Sequence, residues 1–268
     1  MNLLQITWDV SPEIFSIGSF AVRWYGLFWA LSFYLGYEMI YYMFKNEKVP
    51  AQQADKLLIY FALGSVLGAR LGHVLFYDLS YYMSNPAEIL MIWRGGLASH
   101  GGAIGIIIAL YYYQKKESTR SFAWLADRLV IPIALGAAFI RMGNLMNSEI
   151  YGHATSLPWG FIFVRRMEEV AKHPTQIYEA VGYLVVFASL AWLYLKGKVF
   201  HREGYATGIF AIALFSIRFL VEFVKENQSA FEDNMILNMG QILSIPMILL
   251  GIFFIVCSKR EKKKTSRP

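Results

Sequence analysis

The sequence is poor in charge. Only 16% of its 268 residues are Asp, Glu, Lys or Arg, where soluble domains carry about 25%. Hydrophobic residues reach 56% and the mean hydropathy is +0.41. That balance argues against ordinary soluble domains, although the length alone allows one or two. Cysteine is nearly absent, Cys257 being the one example. A disulfide framework within the chain is thereby excluded, and a lone thiol in an apolar stretch reads as packing. His100, His153, His173 and Glu149 lack the H-x-x-x-H type of spacing that binds metal, so neither metal nor cofactor is expected. There is no G-x-S-x-G elbow for a serine hydrolase. No basic segment precedes the first apolar run, so a cleavable leader is not expected. Neither low-complexity sequence nor an inverted repeat is visible.

What is present is a series of apolar stretches of about 20 residues, the length that crosses a bilayer core. Seven are read, at 21–44, 57–78, 97–114, 122–144, 177–196, 204–224 and 237–257. Glycines 95, 96, 101, 102 and 105 crowd the start of the third. Residues before Phe20 mix apolar side chains with Trp8, Asp9, Pro12 and Glu13 and read as an interfacial segment. Basic residues set the orientation. Lys45, Lys48, Lys56, Lys115, Lys116, Arg120, Lys196, Lys198 and Arg202 fall on one side. The tail residues Lys259, Arg260, Lys262, Lys263, Lys264 and Arg267 join them. Only Arg94, Arg165, Arg166, Lys172 and Lys225 fall on the other. The expected fold is an all-α integral membrane protein. It has seven transmembrane helices, an external N-terminus and a cytoplasmic C-terminus. Residues 1–268 form one membrane-embedded domain, and the connection 145–176 forms a small external head. The net charge of +6 and pI of about 9.2 owe much to the tail. A polybasic run after an apolar span suits anionic membrane lipid rather than nucleic acid.

Five arginines remain inside the spans: Arg23, Arg70, Arg128, Arg141 and Arg218. Each costs about 2.5–3.5 kcal/mol at the centre of a bilayer helix. With the orientation above, most intramembrane polar residues share the outer half: Arg23 and Tyr25, Arg70 and His73, His100, Arg141 with Asn144 and Asn147, Arg218 with Glu222, and Gln241. Asp127 and Arg128 sit apart on the cytoplasmic side. A common depth implies a polar cavity, and an excess of arginine over acid implies an anion. Arginine offers a planar fork that matches phosphate and stays protonated when poorly solvated. A phospholipid headgroup is the anion available at that depth. The glycines around His100 permit close helix packing or close approach of a substrate. An imidazole titrates near neutrality and is a candidate general base. Arg218 and Glu222, four apart, form either a helix ion pair or an oriented phosphate clamp. A transporter or flippase for an anionic lipid would use the same arginines without making a bond.

The motifs carry a family resemblance. Arg23-Trp24-Tyr25-Gly26, Gly68-Ala69-Arg70-Leu71-Gly72, His100-Gly101-Gly102, the block Arg141 to Gly152, His173-Pro174-Thr175-Gln176 with Tyr178-Glu179, Arg218-Phe219 with Glu222-Phe223, and Gly240-Gln241 before Pro246 occur in that order. The chain resembles the prolipoprotein diacylglyceryl transferases of bacteria along nearly its whole length. The resemblance implies transfer of diacylglyceryl from phosphatidylglycerol to the lipobox cysteine of a prolipoprotein peptide. It implies a thioether product, release of glycerol 1-phosphate, and a site on the periplasmic side of the inner membrane. It also implies roles. Arg141 and Arg218 would bind phosphate, and His100 would act as base or orient the headgroup. Tyr25, Arg70, Asn144, Asn147, Glu149 and Gly152 would shape the substrate site, with Glu222 and Gln241 in support. Three positions depart from the family pattern. Leu145 stands where the family often has Phe, Ala213-Leu214-Phe215-Ser216 lacks a usual tyrosine, and Lys225 stands where Arg is common.

Overall fold

The computed structural model describes residues 5–18, 20–197, 200–228 and 230–260. The tail lysines 262–264, Arg267 and Lys198 lie outside the described residues. In chain order the elements are β1 (Ile6–Trp8), β2 (Glu13–Ile17), β3 (Phe20–Arg23), α1 (Trp24–Asn46), α2 (Ala51–Phe76), α3 (Leu79–Ser84), α4 (Ser99–Lys116), α5 (Phe122–Met146), β4 (Phe161–Phe163), α6 (Thr175–Leu195), β5 (Arg202–Glu203), α7 (Tyr205–Val221), α8 (Met239–Cys257) and β6 (Lys259–Arg260). The chain divides into two compact units, residues 1–36 with 126–268 and residues 37–125.

Among the described residues five helices are long and apolar enough to cross a membrane: α2, α5, α6, α7 with its following turn, and α8. The stretches expected at 21–44 and 97–114 are also helical, as α1 and α4. α1 is rich in Trp and Tyr, which suit the membrane interface better than its core. The boundaries follow local chemistry that hydropathy does not register. α2 begins at Ala51, six residues earlier than expected, because Pro50 at φ −55° sits at its N-cap. α8 begins at Met239 behind a capping box, in which the Asn238 and Gln241 side chains each accept from the other's backbone N–H. The all-α expectation needs one correction. Short strands pair β1 with β4 in parallel, and β2 with β3 and β5 with β6 antiparallel. β2 lies in the expected interfacial segment, whereas β3 takes the first residues of the stretch expected at 21–44, so Arg23 sits in a strand ahead of α1.

In the unit of residues 37–125, α2 and α4 pack backbone to backbone. Gly64, Gly68 and Gly72 face Gly101 and Gly105 across the contact. A Cβ at Gly68 would stand 2.5 Å from the Gly101 carbonyl oxygen. The glycines beside His100 therefore serve helix packing, as small residues do between membrane helices. Gly68→Val is expected to destabilise this unit by about 1–3 kcal/mol through overpacking. A thermal unfolding midpoint in detergent checks this, and an unchanged midpoint would remove the glycine seam from the stability account.

In the other unit α5 is the most deeply buried helix, with over half of its membrane-length stretch covered. Ala138, Tyr183 and Leu214 join α5, α6 and α7 in one apolar cluster. At the opposite end of α5, Asp127 is fully buried. Its carboxylate accepts from Gly204 N at 2.7 Å, Thr207 N at 2.8 Å and Thr207 Oγ1 at 2.7 Å. Gly204 precedes α7 with φ +85° and has no side chain to cap it. Asp127 supplies the missing cap from another helix.

Candidate active site at the head of the larger unit

The end of α5 is held by its surroundings. Trp8 Nε1 donates to the Leu145 carbonyl at 3.1 Å, and Arg166 Nε donates to that of Ser148 at 2.9 Å. These bonds satisfy carbonyls that a helix C-terminus leaves open. The chain then turns through Ser148 at φ 51° and Ile150 at φ 63°. A β-branched residue in the left-handed region is strained. The start of α6 holds that turn in place: Gln176 Nε2 donates to the Glu149 carbonyl at 2.7 Å, and Thr175 Oγ1 to that of Ile150 at 2.9 Å. Glu149 Oε1 then accepts from Asn144 Nδ2 at 2.9 Å and from Asn147 Nδ2 at 3.2 Å. Arg141 Nη1 donates to Asn144 Oδ1 at 3.1 Å. Tyr25 lays its ring against Gly143, where a Cβ would come within 2.6 Å of it.

From Arg141 a ladder of alternating charge runs across three helices. Arg141 Nε lies 2.8 Å from Glu179 Oε2. That oxygen is 3.6 Å from Lys225 Nζ, which donates to Glu222 Oε1 at 2.9 Å. Arg218 Nε stands 3.8 Å from the same Glu222 oxygen. The Tyr183 hydroxyl donates to Glu179 Oε1 at 3.1 Å and lies within electrostatic range of both arginines. The middle of the ladder is sealed: side-chain exposure is 0% at Glu179, 3% at Lys225 and 6% at Glu222. The ends are open, at 14% for Arg141 and 33% for Arg218. Among the described residues Arg218 Nε has no hydrogen-bond partner. Asn238 Nδ2 donates to Glu222 Oε2 at 3.1 Å, so Gln241 supports Glu222 through the capping box.

Gly152 seats the strand-like turn that carries Lys225. It pairs with Lys225 in an isolated bridge, and its N–H donates to the His173 carbonyl at 2.8 Å. A Cβ there would strike the Val224 carbonyl oxygen, His173 and Thr175. Leu145, Phe161 and Phe163 form a small apolar cluster beyond the end of α5. On its surface Lys172 lies between Glu226 at 2.6 Å and Glu168 at 3.3 Å. Burial opposes the Lys172 charge, yet these carboxylates hold its ammonium above the usual value. Burial, then Glu168, pushes the Tyr151 phenol up. His173 is held below its usual value by burial and, secondarily, by His153. A depressed imidazole favours the neutral form in the folded state, so its stability contribution is full above about pH 6.5 and fades on acidification. The thermal midpoint is expected to fall more between about pH 7.5 and 5.5 for the unaltered protein than for His173→Gln. Equal falls would show that His173 does not titrate with folding.

Nine of the expected site residues thus meet in this unit: Tyr25, Arg141, Asn144, Asn147, Glu149, Gly152, Arg218, Glu222 and Gln241. His100 and Arg70 belong to the unit of residues 37–125. His100 is exposed there and packs against Phe76 and Tyr77, with centroids at 5.4 and 5.8 Å. Arg70 is buried and donates to the carbonyls of Glu88, Ile89, Gly95 and Gly96. Its guanidinium also lies 4.9 Å from the Tyr82 ring. Those bonds make it an organiser of the 86–96 loop. The expected arginine excess is not found in the larger unit. Arg141, Arg218 and Lys225 are matched by Glu149, Glu179 and Glu222. Glu179 and Lys225 were not assigned to the site from sequence. Glu179 is the one acid in α6, and an acid alone in an apolar span is itself the signal.

The prolipoprotein diacylglyceryl transferase family model matches residues 12–257, a span that contains the whole ladder. The chain belongs to that family. A relative from Porphyromonas gingivalis named phosphatidylglycerol–prolipoprotein diacylglyceryl transferase is 46% identical over 265 residues, covering 94% of each chain. One of the same name from Chloroherpeton thalassium is 43% identical, covering 97% of this chain and 98% of its own. Another from Cupriavidus necator is 36% identical, over 94% and 93%. As a prolipoprotein diacylglyceryl transferase family member, the protein is a membrane transferase of bacterial lipoprotein biosynthesis.

Proposed function

We propose that this protein transfers the diacylglyceryl group of phosphatidylglycerol to the thiol of the lipobox cysteine of prolipoproteins, forming a thioether and releasing glycerol 1-phosphate. The observation that carries the reading is the ladder, whose sealed acidic middle leaves an arginine at each open end. The names of full-length relatives supply the substrates. In this reading seven helices span the bacterial inner membrane, with the N-terminus and the head at 145–176 periplasmic and the C-terminus cytoplasmic. The basic residues on the opposite side suit a cytoplasmic face.

The chemistry is alkyl transfer. The cysteine sulfur attacks the diacylglyceryl carbon that carries the phosphate ester. The carbon–oxygen bond breaks, and both bonding electrons go to the phosphate. Negative charge grows on phosphate oxygens as the bond lengthens. Arg141 and Arg218 meet that charge, and donors fixed in place before the reaction are worth more than mobile water. Arg218 is the more exposed of the two, at 33% against 14%. The thiol, ordinarily near pKa 8.5, must lose its proton to attack well. His100 is the candidate acceptor. Asn144, Asn147 and Glu149 hold Arg141 and the strained turn, and Tyr25 walls the site beside Gly143.

The test supplies purified protein with phosphatidylglycerol and a lipobox peptide. A diacylglyceryl mass gain on cysteine, with one glycerol 1-phosphate released per transfer, is the expected result. Intact lipid moved between leaflets with no headgroup release would replace this reading with that of a flippase.

A further inference from the structure

Arg141 cannot orient itself. A guanidinium at the end of a flexible stem in a poorly solvated site turns toward the nearest carboxylate. We infer that Glu179 is a positioning residue for the transfer reaction, acting through Arg141, and that Lys225 is its counter-charge rather than a phosphate ligand. This inference rests on the function proposed above and deepens it.

Glu179 is completely buried in α6, and its two oxygens have separate duties. Oε1 accepts the Tyr183 hydroxyl at 3.1 Å, which fixes the carboxylate plane. Oε2 faces Arg141 Nε at 2.8 Å. Asn144 takes Nη1 of the same guanidinium at 3.1 Å. One hydrogen bond, to Asn144, and the buried charge of Glu179 at 2.8 Å together hold the guanidinium toward α6, although Glu179 Oε2 itself has no hydrogen-bond partner among the described residues. A second buried acid, Glu222, pairs with Arg218 and would also compete for Arg141. Lys225 prevents this by placing one compact ammonium between the two acids, 2.9 Å from Glu222 and 3.6 Å from Glu179. A point charge can serve two carboxylates at once in a way that a fork cannot. With 3% exposure, Lys225 has no open face for a lipid phosphate.

The test is a double-mutant cycle on full-length protein in micelles containing phosphatidylglycerol and a lipobox peptide. Glu179→Gln, Arg141→Lys and the double variant are compared in kcat and in KM for each substrate. Glu179→Gln is expected to lower kcat by about 30-fold or more, because a positioned charge matters most where charge develops. KM for the peptide should stay within about threefold. The double variant should fall no more than about threefold below Arg141→Lys, since residues acting through one another are not additive. Losses that multiply would overturn the inference, as would a Glu179→Gln enzyme with kcat near that of the unaltered protein. If Glu179→Gln does not fold, Glu179→Asp enters the same cycle, because it keeps the charge and draws it back from Arg141. Phosphatidylglycerol should also raise the thermal midpoint of the unaltered protein more than that of the Glu179→Gln or Glu179→Asp variant. That readout stands without turnover. Folded, unaltered protein that makes no thioether would sink the proposed function. Equal lipid stabilisation in variant and unaltered protein would sink the positioning role.

Discussion

Arg141→Ala is expected to abolish measurable transfer while the protein still inserts in the membrane. Two losses combine. A fixed donor to the developing phosphate charge disappears, worth about 10²–10³ in rate by analogy with other anion-stabilising donors. Glu179, with 0% side-chain exposure, also loses its nearest cation. Removing one partner of a buried pair costs about 3–5 kcal/mol, although Lys225 at 3.6 Å softens this. Arg141→Lys should recover only part of the activity. An ammonium can pair with Glu179 or approach Asn144, but it lacks the planar fork that reaches both and still presents an edge to phosphate. The check is kcat/KM for each variant beside a thermal midpoint. Full activity in Arg141→Ala would remove the residue from the site.

Gly152→Ala should have an effect of similar size for a different reason. Gly152 needs no unusual φ; it needs the absence of a methyl group. The nearest atom to an added Cβ is the backbone carbonyl oxygen of Val224, which cannot rotate away as a side chain would. The neighbouring residue is Lys225, paired with Gly152 across the bridge. A shift there moves the middle rung of the ladder, and both arginines follow. Overpacking of this kind costs about 1–3 kcal/mol, and a displacement of about 1 Å can cost 10²-fold in rate. The expected result is a loss of about 100-fold or more in kcat/KM with the spanning helices still folded, read by far-ultraviolet circular dichroism. Thr175→Ser should not rescue it, because it relieves one neighbour and leaves the Val224 oxygen in place.

The long apolar helices were legible because bilayer thickness sets the length and composition of a membrane-crossing segment. Their ends were not, since Pro50, the Asn238 capping box and Asp127 act through single side chains that an averaged hydropathy ignores. β1 and β4 have three residues each, too short for a period of two to show. The block from Arg141 to Gly152 stands out in the sequence because polar residues are so dense at the end of an apolar stretch, and the fold joins Arg141, Asn144, Asn147 and Glu149 by hydrogen bonds. Arg70 shows the limit. A buried arginine announces that it has acceptors, but sequence does not say whether they are a lipid phosphate or four main-chain carbonyls. The charge balance was misjudged for a related reason. Glu179 and Lys225 lie 46 residues apart in sequence, and only folding brings them to one carboxylate–ammonium contact at 3.6 Å.

The most direct measurement is a structure of the protein with phosphatidylglycerol bound. The lipid phosphate is expected within hydrogen-bond reach of both Arg141 and Arg218, with Glu179 still on Arg141 Nε and Lys225 still between its two acids. A phosphate bound elsewhere, with both arginines turned inward onto carboxylates alone, would contradict the role given to the ladder.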